Sequence, residues 1–136
     1  MVRTVANRNL PAVVRNAPPV EVNGYGALSY TPTGHGSGHL PSRLADFYYS
    51  ARSRPTIYSY ATPIAWFQDG KWIVPSVTYS ATTAKHQSYV RQSLNYVLIP
   101  ADCSKTLLAR LISGADVYHW DGRLTSPSAT NPAFAS

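Results

Sequence analysis

The strongest constraint on the fold is the run from Thr56 to Ser80, TIYSYATPIAWFQDGKWIVPSVTYS. In it β-branched and aromatic residues alternate with small polar ones on either side of Asp69-Gly70. A period of two sends successive side chains to opposite faces of a pleated sheet. Asp-Gly supplies the positive-φ positions that a two-residue hairpin turn demands. The run therefore predicts two strands, 56–68 and 71–80, joined at that turn. Pro63 and Pro75 cannot donate to a ladder, so each is expected to mark an edge, a bulge or a strand end, and at least one face of the hairpin is expected to stay unpaired.

Helical signals flank the hairpin. PSRLADFYYSA, from Pro41 to Ala51, places Pro41 in a first turn and Leu44, Phe47 and Tyr48 at spacings of three and four. A second helix is expected from a Thr82 or Thr83 cap to about Tyr96. A third, SKTLLARLIS, follows a cap at Asp102 or Ser104, carries Leu107, Leu108, Leu111 and Ile112 on one face, and stops at Gly114. ADVYHW, the Asp121-Gly122 turn and RLT read as a last strand and its hairpin partner. Residues 1–39 hold Pro11, Pro18, Pro19 and Pro32 and the run GHGSGH with no regular apolar period, which predicts an extended arm made basic by Arg3, Arg8 and Arg15. Residues 126–136 predict a flexible tail. With 136 residues the chain has room for one core. The expected fold is α+β: a small antiparallel sheet, made of the aromatic hairpin plus the C-terminal strand, packed with two to three helices over residues 40–125.

Twelve Lys and Arg against six Asp and Glu give a net charge of +6, a balance that favours polyanionic partners. Cys103 stands alone, which rules out an intramolecular disulfide framework and suits a reducing compartment. No window has the length or apolarity of a signal-peptide core or a membrane span, so a protein cytosolic in its producing cell is expected.

On the helix after Thr83, His86, Val90, Leu94 and Val97 form an apolar stripe with Tyr89 beside it, and His86 is expected to be a core histidine bonded to a neighbouring strand. The opposite side carries Lys85, Ser88, Arg91, Gln92 and Asn95 without an acidic residue. Such a face contacts phosphates through Lys85 and Arg91 and base edges through Gln92 and Asn95, or serves as an ordinary solvated surface. Arg52 and Arg54 beside the hairpin are candidates to extend it. Tyr58, Tyr60, Trp66, Trp72 and Tyr79 on the strands either pack or stack on bases. His35 and His39 in GHGSGH have a metal-ligand spacing only if helical, which the glycines oppose, so neither a metal site nor a cofactor is expected. GYG at Gly24–Gly26 lacks the surroundings of a phosphate loop, and no nucleophile sits on a G-x-S-x-G elbow. A catalytic residue is therefore not assigned.

The segment Tyr58, Ser59, Tyr60, Thr62, Pro63, Ile64, Ala65, Trp66, then Tyr79, Ser80, Thr82, Thr83, Lys85, His86, Gln87, resembles a small domain of unknown function found in phage and plasmid-borne proteins of actinobacteria. The pattern Y-S-Y-x-T-P-I-A-W followed by Y-S-x-T-T-x-K-H-Q covers about forty residues and carries no assigned activity. It implies an origin in a mobile element. The reading is a small basic binding protein whose first partner is nucleic acid, DNA or RNA. The alternative is a virion structural or assembly protein, a homo-oligomer, or an inhibitor of a host protein, working through its arm and its exposed aromatics.

Overall fold

The computed structural model describes residues 3–34, 38, 40–41, 43–45, 48, 54–77 and 80–126. Among these residues a seven-stranded sheet runs β1 (Arg3–Val5), β2 (Val22–Gly24), β3 (Leu28–Gly34), β4 (Arg54–Ser59), β5 (Thr62–Gln68), β6 (Lys71–Ser76) and β7 (Tyr96–Pro100), in that spatial order. The inner ladders from β2 to β6 are antiparallel, and both outer pairs, β1 with β2 and β6 with β7, are parallel. A parallel pair needs a crossover rather than a tight turn. The first crossover carries a 3-10 turn (Asn7–Asn9) and the short helix α1 (Leu10–Val13), and the second carries α2 (Ala81–Ser93). Helix α3 (Lys105–Ser113) follows β7, and β8 (Val117–Tyr118) pairs with β9 (Leu124–Thr125) in a separate two-stranded sheet.

Both faces of the large sheet are covered. On one, Leu10 and Val14 from the first crossover and Val90 and Leu94 from α2 pack on Val22, Leu28, Tyr30, Ile57, Ala65, Trp72, Val74 and Leu98. On the other, Leu40, Leu44, Tyr48, Cys103, Leu108 and Leu111 pack on Trp66, Ile73 and Ile99. Trp66, Ile73 and Val74 are buried because a strand covered on both sides has no solvent face to alternate toward. Edge-on aromatic contacts support this packing: Tyr48 meets Trp66 on the sheet with ring centroids 5.4 Å apart, and Phe67 meets its cross-strand partner Trp72 at 5.4 Å.

The α+β class stands, and several details are corrected. The sheet is large and mixed instead of small and antiparallel. The hairpin strands lie in its interior, so the edges are β1 and β7 and the hairpin is paired on both sides. The expected strand 56–68 folds back at Tyr60-Ala61, where Tyr60 takes φ 57°, and becomes β4 and β5. Pro63 sits where the register of that ladder shifts, and Pro75 lies beyond the part of β6 that pairs with β5. The Asp69-Gly70 turn forms as expected, with φ 52° and 78°.

Helix α2 is capped by Ser80, not Thr82 or Thr83, and ends at Ser93. Leu94 turns extended at φ −111°, ψ 145° and Tyr96 opens β7. Val97 continues the helical spacing on paper, but Val97, Ile99 and the following Pro100 favour a strand. Ser104 and Gly114 bound α3 as expected. The C-terminal hairpin forms beside β7 without joining the large sheet.

The N-terminal segment, expected as an extended arm, is woven into the sheet instead. Leu10, Val14, Val22, Leu28 and Tyr30 belong to the same core cluster as Ile57. Its prolines fit because Pro11 lies in the first turn of α1, where a missing N–H costs nothing. Residues 43–45 and 48 of the expected helix 41–51 are helical. Its remaining inner positions and the tail from 127 lie outside the described residues. Among the described residues no helix is long and apolar enough to cross a membrane.

Candidate nucleic-acid interface

The motif residues pin α2 to the β4–β5 turn. Ser80 accepts from the Thr83 N–H at 3.2 Å and caps the helix. One turn on, the buried Ser59 hydroxyl on β4 lies 2.7 Å from His86 Nδ1 and 3.1 Å from Thr83 Oγ1. Gln87 donates to the Val77 carbonyl at 2.9 Å. Burial, and secondarily the neighbouring Lys85 ammonium, holds His86 below the usual histidine range, so it is the neutral ring that bonds Ser59. His86 is thus buried and bonded to a neighbouring strand, as its place on the apolar stripe predicts.

With that side fixed inward, Lys85, Arg91, Gln92 and Asn95 are all exposed. Gln92 donates to Ser88 Oγ at 2.9 Å, and the Arg91 guanidinium lies 4.5 Å from the centroid of the Trp120 ring. The 3-10 turn and α1 pack beside α2 in the same layer. Arg8 and Arg15, exposed on that first crossover, therefore join Lys85 and Arg91. Residues 3–16 and 80–95 together hold five of the twelve cations and none of the six acidic residues. Local sequence reading missed this because the two segments are far apart in the chain and meet only through the sheet.

At one end of this layer a cleft of about 820 Å³ opens between the start of β6 and β7 and the β8–β9 hairpin. Phe67, Tyr96, Tyr118 and Trp120 supply its aromatic walls, with Arg15, Lys71, Asn16 and Asn95 among its polar lining. Trp120, 44% exposed, donates from Nε1 to Tyr96 Oη at 2.8 Å. Asp116 is the one carboxylate among the described lining residues. Arg110 grips it at 2.7 and 3.0 Å and Ser126 donates to it at 2.6 Å, contacts that hold it below the usual carboxylate range. A smaller hollow of about 400 Å³, at Asn7, Thr82, Lys85, His86 and Tyr89, lies between the first crossover and α2.

Other sequence candidates lie elsewhere. Arg54 is only 5% exposed at the start of β4. Its guanidinium bonds Gln68 Oε1 and lies 5.9 Å from the Tyr48 ring, away from the α2 layer. Among the described residues its Nε and Nη2 have no hydrogen-bond partner. Arg52, Tyr79, His35 and His39 lie outside the described residues. Trp66 and Trp72 are core residues, whereas Tyr60 is 62% exposed. The exposed aromatic ring that meets Arg91 is Trp120, which the sequence places only in a short strand. His119 bonds Thr125 Oγ1 at 3.0 Å within its hairpin. GYG serves packing: Gly26 N–H donates to Asn7 Oδ1 at 3.1 Å, and a Cβ at Gly24 would run into that same side chain.

Fold and surface together define a three-layer α+β domain with a carboxylate-free basic helical layer beside an aromatic cleft. Residues 29–96, half of the chain, match a family of unknown function (DUF8033), and the protein belongs to that family. No curated protein and no solved structure matches the chain. The matched segment spans β3 to the start of β7; Arg8, Arg15 and Trp120 come from outside it.

Proposed function

We propose that this is a small, phage-type, non-enzymatic nucleic-acid-binding protein that works in the cytoplasm of a bacterial host. The observation that carries the reading is the helical layer of Arg8, Arg15, Lys85 and Arg91, exposed and free of carboxylates on its own elements. Exposed cations attract phosphates and release their counterions, which gives sequence-independent affinity. Gln92 on the outer side of α2 and Asn95 just beyond its end are both exposed, and such amides reach base edges. Arg54 contributes to the core and not to this face.

The test is fluorescence anisotropy with labelled single-stranded DNA, duplex DNA and RNA at low and near-physiological salt. Lys85→Ala/Arg91→Ala is expected to weaken binding by about tenfold or more on every probe, since each removed cation deletes a phosphate contact. Unchanged affinity contradicts the assignment of α2.

A second reading, assembly in a virion or capture of a host protein, is favoured by two exposed tyrosines at one end of the sheet. Tyr25, 79% exposed, and Tyr60 sit on turns joined by the bond from Tyr60 N–H to the Ala27 carbonyl at 2.9 Å. A protein that binds none of the probes at low salt yet self-associates in light scattering fits this second reading and contradicts the first.

A further inference from the structure

We infer that the cleft beside α2 is a subsite for an unpaired nucleobase, so that the protein prefers single-stranded to duplex nucleic acid. The inference rests on the nucleic-acid reading and specifies which form of nucleic acid is bound.

Three independent features of the cleft point to a base. Its volume, about 820 Å³, lies within the range of pockets that enclose small ligands, and Phe67, Trp72, Tyr96, Tyr118 and Trp120 give it aromatic walls. The Trp120 ring stays 44% exposed at the rim although it is held in place, with Nε1 bonded to Tyr96 Oη and one face against Arg91. A fixed, part-exposed indole flanked by a guanidinium matches the stacking platforms of single-strand binders, where every base offers a π-face.

Charge agrees with shape. Arg15 and Lys71 line the cleft and Arg91 stands at its rim, while Asp116 is already occupied by Arg110 and Ser126. A strand that places a base in the cleft therefore has cations for its flanking phosphates and meets no free carboxylate among the described lining residues. Asn16 and Asn95 offer amides for a base edge. A duplex hides its base faces by stacking, so a recessed platform is reached only by an unpaired base. Phosphate contact along α2 remains available to either form.

Two measurements test this. On a labelled single strand and its duplex, Trp120→Ala is expected to reduce single-strand affinity about tenfold, with an unchanged salt slope and duplex affinity held within about twofold. In the unaltered protein the single strand quenches tryptophan emission and the duplex does not. Trp120→Phe keeps a stacking ring and is expected to retain single-strand affinity while losing most of that quench, since Trp66 is fully buried and Trp72, which also lines the cleft, is only 3% exposed. A quench of equal size in Trp120→Phe, or equal affinity for single strand and duplex in the unaltered protein, overturns the cleft while leaving the helical layer intact. Binding to neither probe overturns both readings.

Discussion

His86 shows how one residue couples the motif to the stability of the site. Its ring is bonded to Ser59, and its burial and, secondarily, the nearby Lys85 favour the neutral form. In the unfolded chain the ring takes a proton near the ordinary value of about 6.5. Because its folded value is depressed, the unfolded state binds more protons as pH falls. The contribution of His86 is thus fully present above the unfolded value and is lost as pH drops toward the folded one. Urea midpoints at pH 7.5 and 5 are expected to fall more steeply for the unaltered protein than for His86→Gln, whose side chain does not titrate. Parallel loss in the two proteins contradicts a buried neutral His86. Tyr30 and Cys103 are inert by the same physics: burial pushes the phenol up to about 12 and, as the largest of its effects, the thiol to about 11.

At the scale of elements, α2 owes its position to its N-terminal half and its proposed function to its outer face. Ser80→Ala removes the cap on Thr83 N–H and is expected to cost about 1 kcal/mol in denaturant unfolding. Once the fold is intact under assay conditions, nucleic-acid affinity should change less than about twofold, because Lys85 and Arg91 are untouched. A large affinity loss in a folded Ser80→Ala protein contradicts this division of labour. The Asp69-Gly70 turn, α3 with its Ser104 and Gly114 ends, and the inward stripe of His86, Val90 and Leu94 were legible in the sequence because each is written in neighbouring residues. β7 was not, because Val97 extends the helical spacing by coincidence. The fold-back at Tyr60 was not, because a tyrosine at φ 57° carries no turn signal. The apolar run WIVP in β6 is the pattern of a strand buried on both faces, whereas Pro63 and Pro75 pointed to an unpaired hairpin face.

For the whole molecule, the large sheet ends at both sides in a parallel pair closed by a helical crossover, and the two crossovers share one face. That arrangement turns the supposed arm into structure and carries Arg8 and Arg15 to α2. The candidate site was therefore half legible: Lys85, Arg91 and Gln92 follow from one helical period, Asn95 is exposed just past the helix end where that period no longer holds, and Arg8, Arg15 and Trp120 depend on pairings between distant segments that no local pattern records. Arg54 was misplaced for the same reason, since its burial is decided by Tyr48 and Gln68 and not by its neighbours in the chain. The central claim is that the helical layer binds phosphates as a unit. It is tested most directly by the slope of log Kobs against log salt for the unaltered protein and for Arg8→Ala/Arg15→Ala/Lys85→Ala/Arg91→Ala. If each of the four cations meets a phosphate, the slope becomes shallower by about three in the variant, whereas an unchanged slope contradicts the account.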